Sequence, residues 1–150
     1  MSLFDNVSND IKEAMLARQK TRLEALRAIK AAFLLAKTET GAENLPAEQE
    51  LKILQRMIKQ RKESAAIYKA QNRMDLYQNE VNEAVVIEEY LPQQVSEEEI
   101  ARIIKQIIQQ VGATSLKDMG KVMGAAGKEL SGKADNKIVA EKVKEILAGM

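Results

Sequence analysis

The sequence predicts an all-α protein, built as an N-terminal four-helix domain followed by a small three-helix bundle. Apolar residues recur every three or four positions along almost the whole chain, which is the spacing of one face of an α-helix. Only two prolines and seven glycines interrupt this pattern, which leaves little turn chemistry for a β-protein. Because aromatic residues make up only 3% of the chain, we expect a core of aliphatic side chains and methionine.

The first two helices are predicted from their caps and apolar stripes. Ser2 is expected to cap the first helix, and Thr21 followed by Glu24 has the spacing of a capping box at the start of the second. The inward residues predicted for the first helix are Phe4, Val7, Ile11 and Met15. Those predicted for the second are Leu26, Ile29 and Phe33, with Leu23 and Ala36 beside them.

The third and fourth helices follow a loop at residues 41–45, and Pro46 is expected at the first helical position. The predicted inward residues of the third helix are Leu51, Leu54, Ile58, Ala65 and Tyr68. Those of the fourth are Leu76, Tyr77, Val81, Ala84, Val85 and Glu88. The fourth helix should end near Leu91, because proline disfavours the helical conformation in the residue before it. For the unusual inward Glu88, the expected partner is a buried arginine, either Arg61 or Arg27.

A second domain is expected after Pro92, so that residues 1–92 and 93–150 form the two blocks. Ser96 and the three glutamates after it predict the start of the fifth helix, and Gly112 its end. Thr114 or Ser115 should cap the sixth helix, and Asp135 the seventh. The predicted inward residues are Ile100, Ile103, Ile104, Ile107, Ile108 and Val111 in the fifth helix, Leu116, Met119, Val122, Met123 and Ala126 in the sixth, and Ile138, Val139, Val143, Ile146 and Leu147 in the seventh.

The chain contains no histidine, cysteine or tryptophan. Histidine is the usual general base and metal ligand, and cysteine supplies thiolate nucleophiles and zinc ligands. We therefore expect no catalytic residue, no metal site and no cofactor. The segment Gly127 to Ala134 has the glycine and lysine spacing of a phosphate-binding loop, but Ala134 stands where the magnesium-binding hydroxyl belongs. This segment is interpreted as a turn between two helices.

Basic residues gather in three clusters, although the net charge of the chain is only +1. Binding to a phosphate backbone needs several lysines or arginines on one face, whereas solvated helix faces carry similar runs of charge. Aromatic platforms for stacking unpaired bases are nearly absent, so any nucleic acid would be recognised by shape and backbone, as suits folded RNA.

Four strings in a fixed order resemble the YqeY family. They are KQRKES at 59–64, EEYLPQQ at 88–94, DMGKVM at 118–123 and GKAD at 132–135. The resemblance runs from Leu3 to Leu147 and implies an all-helical N-terminal domain with a three-helix C-terminal domain. That family is similar to the C-terminal tail of the B subunit of tRNA-dependent amidotransferases. In those enzymes the tail is associated with binding the tRNA body, and ammonia production and phosphoryl transfer lie elsewhere.

The resemblance and the basic clusters together predict a tRNA-binding accessory protein without a catalytic centre. The residues expected to contact phosphate are Lys117, Lys121, Lys133 and Lys137, with Arg18, Arg22, Lys59 and Lys62 as a secondary set. The alternative is an adaptor that docks on amidotransferase subunits or an aminoacyl-tRNA synthetase. A carbon–nitrogen ligase with glutamine as amido donor is the third hypothesis, a family-level label for which the chain offers no active site.

The expected location is the cytoplasm, with no membrane partner. The first residues lack the basic and apolar segments of a signal peptide, and no apolar run approaches the roughly 20 residues that span a bilayer. A chain without cysteine gives no sign of an oxidising compartment.

Overall fold

A computed structural model of the chain describes residues 2–41 and 43–150. Met1 and Ala42, which belong to the chain start and to the loop predicted at 41–45, lie outside the described residues. The helices are α1 Leu3–Leu16, α2 Lys20–Thr40, α3 Ala47–Ala70, α4 Met74–Glu88, α5 Glu97–Val111, α6 Met119–Glu129 and α7 Asn136–Ala148. A short 3-10 helix, Leu116–Asp118, precedes α6. The described ranges contain no strand, which confirms the predicted all-α class.

The chain divides into two compact units, Met1–Leu91 and Pro92–Met150. The first, unit 1, contains α1 to α4, and the second, unit 2, contains α5 to α7. Each unit has its own cluster of buried apolar side chains.

The core of unit 1 is built around α2, which packs against α1 and α4. Its predicted inward residues Leu26, Ile29 and Phe33 are fully buried. In α1, however, the prediction that Met15 faces inward is wrong. Met15 is exposed and Ala14 is buried instead, because Ala14 lies two helical turns after Val7 and so shares its face.

The same kind of error affects α4, where Val85 is exposed and Val86 and Ile87 are buried. Ile87 lies three positions after the buried Ala84, on the face that α4 presents to its neighbours. A run of three apolar residues at 85–87 does not itself indicate which of them faces inward.

Glu88 faces outward, and the prediction of a buried arginine partner for it is wrong. Its carboxylate instead pairs with Lys62 on α3, with Nζ and Oε1 3.1 Å apart. Arg61 pairs with Glu83, which lies earlier on α4, at 3.2 Å. The ion pair expected between α3 and α4 therefore exists, with different residues.

The caps follow the sequence in some helices and depart from it in others. Ser2 accepts a hydrogen bond from the backbone N–H of Asp5, and Ser96 accepts one from Glu99, as predicted. The capping box at Thr21 is wrong, because α2 begins at Lys20 and its cap residue, Gln19, makes no side-chain cap bond. Pro46 is the cap residue of α3 and not its first helical residue.

Unit 2 follows the predicted pattern closely. Ile100, Ile104, Ile107 and Ile108 of α5 are buried, and Gly112 ends the helix with a left-handed φ of 71°. Ser115 caps the 3-10 helix, and Asp135 caps α7. Two predictions for this unit are wrong. Leu116 is exposed and lies before α6. Neither Thr114 nor Ser115 caps α6, because that helix begins at Met119 and its cap residue, Asp118, makes no side-chain cap bond.

The segment with phosphate-loop spacing does not form such a loop. Gly127 lies inside α6, which continues to Glu129. Leu130 and Ala134 are buried in the core of unit 2. The segment is therefore the end of one helix and the turn into the next.

Candidate nucleic-acid interface

The outer face of α6 carries an unusual combination of glycine and lysine. Val122 and Ala126 are buried on its inner face. Gly120, Gly124 and Gly127 follow one another by four and three positions, so they lie together on the opposite side of the helix. We call this row the glycine track.

Nothing inside the protein requires these three residues to be glycine. Their backbone is not in the left-handed region, and a Cβ added at each would meet no atom of the described residues within 4 Å. A glycine in a helix interior costs roughly 1 kcal/mol relative to alanine. The glycine track therefore lowers the stability of α6 without a compensating contact within the protein.

A row of lysines runs beside the glycine track. Lys121 and Lys128 are seven positions apart on α6, and Lys117 precedes Lys121 by four positions. All three side chains are exposed. Lys117 and Lys121 belong to the set predicted to contact phosphate, whereas Lys128 belongs to the same basic cluster of the sequence but not to that set.

The other two lysines of the primary set lie around the turn into α7. The backbone carbonyl of Lys133 accepts a hydrogen bond from Val95 N–H at 3.0 Å, and the backbone N–H of Lys137 donates to the Asp135 carboxylate at 2.9 Å. Both side chains are exposed. Their backbones are thus held firmly while their ammonium groups stay in solvent.

The primary lysines are not neutralised by ion pairs. Within the described ranges, no carboxylate oxygen lies within 4 Å of Nζ in Lys117, Lys121, Lys133 or Lys137. Asp118 lies beside this row, and its carboxylate accepts a 2.9 Å hydrogen bond from Thr114 N–H. That bond, assisted by the charge of Lys121, lowers the pKa of Asp118. The ammonium groups of these lysines are therefore not held in close ion pairs.

The turn that holds Lys133 depends on two of the recognised strings. Gln94 Nε2 donates to the carbonyl of Gly132 at 2.7 Å and to that of Pro92 at 2.9 Å. Gly132 adopts a left-handed φ of 72°, which glycine takes without strain. The strings at 88–94 and 132–135 therefore meet within unit 2, and their contact shapes this turn.

The secondary set in unit 1 is less available. Arg22 pairs with Glu89 at 2.5 Å, and Lys62 pairs with Glu88. The hydrogen bond to Glu89 raises the pKa of Arg22. Arg18 and Lys59 are exposed, and no carboxylate of the described residues lies within 4 Å of either. Two of the four secondary residues therefore have a structural partner.

The end of α4 is anchored to all three other helices of unit 1. Glu88 reaches Lys62 on α3, and Glu89 reaches Arg22 on α2. The Tyr90 hydroxyl donates to Asp10 on α1 at 2.5 Å, and burial together with this bond raises the pKa of Tyr90. The two carboxylates of the EEYLPQQ string thus form ion pairs that link α4 to α2 and α3.

The described part of unit 1 contains an open cleft of about 220 Å³. Its lining residues are Thr21, Glu24, Tyr68, Leu76, Asn79, Glu80 and Glu83. Glu83 is already paired with Arg61. The described residues hold no group of three carboxylates placed to bind a metal ion.

None of the described helices is both long and apolar enough to cross a bilayer.

Comparisons with known proteins agree with the resemblance carried by the four strings. A family model described as Yqey-like protein matches residues 4–147, nearly the whole chain. One curated relative, altered inheritance of mitochondria protein 41 of Clavispora lusitaniae, is 29% identical over 133 residues. The match covers 87% of this chain and 75% of that protein, which its name describes as mitochondrial.

Proposed function

This chain belongs to the YqeY family, and from that premise we propose that it is a tRNA-binding accessory protein with no catalytic centre of its own. The observation that carries the proposal is the outer face of α6, where unpaired lysines flank a row of glycines that the fold does not need. In the amidotransferase tails that the family resembles, a helical appendage is associated with the tRNA body.

The chemistry of this face suits a sugar–phosphate backbone. Because the glycine track has no side chains, a bulky partner can approach the backbone of α6 closely along it. Lysines beside that row place mobile ammonium groups against phosphates, and each phosphate contact releases counterions. Residues 92–150 contain no aromatic side chain, so unit 2 offers no platform for stacking bases. Together these features favour recognition of folded RNA by its shape and charge.

The first experiment measures the affinity of labelled tRNA as a function of salt. Wild-type protein should bind with a steep salt dependence, and the double variant Lys117→Gln, Lys121→Gln should bind more weakly. Its log–log salt slope should be about two units shallower, because each substituted lysine leaves one phosphate without its cation. The matched control is Lys105→Gln, which removes one exposed charge from α5. The proposal fails if wild-type protein gives no salt-sensitive binding, or if the control weakens binding as much per charge.

The second experiment tests close approach without altering charge. Gly124→Leu fills the glycine track with a side chain, and the open space around this position allows α6 to remain folded. We expect weaker tRNA binding with an unchanged salt slope. Unchanged affinity would mean that RNA contacts the lysines without seating against the helix backbone.

The second candidate is an adaptor that docks on amidotransferase subunits or an aminoacyl-tRNA synthetase. One observation favours it: Leu116 is 46% exposed and lies in the 3-10 helix that leads into α6. Glycines four positions apart let two helices pack closely. Binding to a purified partner that survives the lysine substitutions but is abolished in Leu116→Ser would favour the adaptor over tRNA binding.

A carbon–nitrogen ligase is the least supported candidate. No nucleophile with an adjacent base is evident among the described residues of the cleft in unit 1. Glutaminase or ATP turnover by the purified chain would contradict the proposal of a protein without a catalytic centre. The cytoplasmic location also remains a prediction, since the curated relative is named as mitochondrial.

A further inference from the structure

The turn between α1 and α2 exposes two large apolar side chains. All seven residues from 15 to 21 are exposed. Met15 is 52% exposed and Leu16 is 87% exposed, the largest fraction among the exposed large apolar residues described. Two adjacent apolar side chains exposed to water would be stabilised by transfer to an apolar partner.

Arg18 occupies a backbone position that suits glycine. Its φ is 57°, in the left-handed region. The turn closes with hydrogen bonds from Arg18 N–H to Met15 and from Gln19 N–H to Ala14, a pattern that glycine or asparagine usually completes. The corresponding turn after α3 has Asn72, with φ 58°, at this position. Arginine therefore occupies this position against a backbone preference.

The guanidinium of Arg18 does not serve the fold either. No carboxylate among the described residues lies within 4 Å of it. The sequence has no acidic residue between Glu13 and Glu24, and Lys20 adds a second exposed cation to the turn. The turn thus presents apolar and cationic groups together, with no negative charge among them.

We propose that this turn is a contact site for the surface of an anionic phospholipid membrane. Phosphate groups alone, as in RNA, would satisfy Arg18 and Lys20 but would leave Met15 and Leu16 in water. A lipid surface accepts both kinds of group, because apolar side chains enter the acyl boundary while cations meet the headgroups. Such a contact is peripheral and reversible, and it needs no membrane-spanning segment. The expectation of no membrane partner rests on the absence of such a segment and on the net charge of +1, which leaves room for attraction by a local cationic patch.

The test is co-flotation of the full chain with vesicles of phosphatidylcholine mixed with phosphatidylserine, compared with phosphatidylcholine alone. Wild-type protein should float with the anionic vesicles only. Leu16→Ser should lower the partition coefficient about tenfold or more, because it removes one inserted side chain. Arg18→Gly should lower it about fivefold, because each basic residue near an anionic surface adds a similar factor.

Two controls separate membrane contact from loss of folding. Met74→Ser removes an exposed apolar residue from the start of α4, next to the turn between α3 and α4. This variant should float like the wild type. Arg18→Gly should not lower the thermal midpoint, because glycine adopts the left-handed region without strain. The proposal is overturned if wild-type protein does not float with anionic vesicles. It is also overturned if Leu16→Ser floats like wild type, or if Met74→Ser has the same effect as Leu16→Ser.

Discussion

Substitution of Gly124 by alanine should raise the free energy of unfolding of unit 2 by about 1 kcal/mol. The position lies inside α6, its backbone is not left-handed, and an added Cβ would meet no described atom within 4 Å. Neither steric strain nor new packing therefore contributes. What remains is the difference in backbone entropy between glycine and alanine, which favours alanine in a helix.

The same substitution at Gly112 should have the opposite sign. A Cβ there would also meet nothing within 4 Å, but the φ of 71° lies in the left-handed region. An alanine in that conformation costs about 1–2 kcal/mol. The two positions differ in backbone conformation, and the stabilities of the two variants should diverge by about 2–3 kcal/mol in total.

Calorimetry on the full chain measures this difference, with hydrogen exchange of the α6 amides to assign the transition to unit 2. For a domain of about 60 residues, 1 kcal/mol corresponds to a shift in Tm of roughly 4–8 °C. Gly124→Ala should shift the midpoint upward and Gly112→Ala downward. If Gly124→Ala also lowers it, a methyl group at this position meets protein, and the inference that the glycine track is free for a partner is refuted.

Two further predictions concern unit 1. Burial and the hydrogen bond to Asp10 raise the pKa of Tyr90 in the folded state. The stabilisation from the protonated hydroxyl is therefore fully present below the unfolded pKa of about 10 and is lost as the pH rises above that value. Tyr90→Phe should therefore cost about 1 kcal/mol at neutral pH, and urea denaturation should show this difference shrinking above pH ~10; a difference that stays constant with pH would contradict the assignment. Glu50 is 3% exposed, and its carboxylate accepts a 3.1 Å hydrogen bond from Phe4 N–H at the start of α1. Glu50→Leu should cost about 1–3 kcal/mol in urea denaturation, because the Phe4 donor loses its acceptor. Glu50→Gln keeps an acceptor oxygen and should cost less; equal costs in both variants would show that the negative charge, and not the acceptor, is what matters.

The parts of the fold that local chemistry determines could be predicted from the sequence. The stripe in α5 recurs at helical spacing, so Ile100, Ile104, Ile107 and Ile108 were assigned to the core correctly. Ser2, Ser96 and Asp135 precede helices with a side-chain oxygen suited to capping, and each makes the expected bond. In each case the determining residues lie within a few positions of one another.

Contacts between distant segments could not be predicted in the same way. Nothing in the pattern around Glu50 indicates that it meets Phe4, which lies 46 positions earlier. The predicted partner of Glu88 was wrong for the same reason: neighbouring arginine and lysine residues on α3 are equivalent until the rotation of that helix is known. The Thr21 capping box failed because a correct local spacing does not compel the helix to begin there.

The strings that carry the family resemblance differ in whether their side chains make contacts within the fold. The residues of EEYLPQQ and GKAD are largely engaged within the fold, in the ion pairs of Glu88 and Glu89 and in the bonds of Gln94. The string at 118–123 is different, since its Gly120 and Lys121 make no contact that the fold requires. The glycine track weakens α6 without a compensating contact inside the protein, which favours a partner outside it. The outer face of α6 is therefore where we expect an RNA to bind.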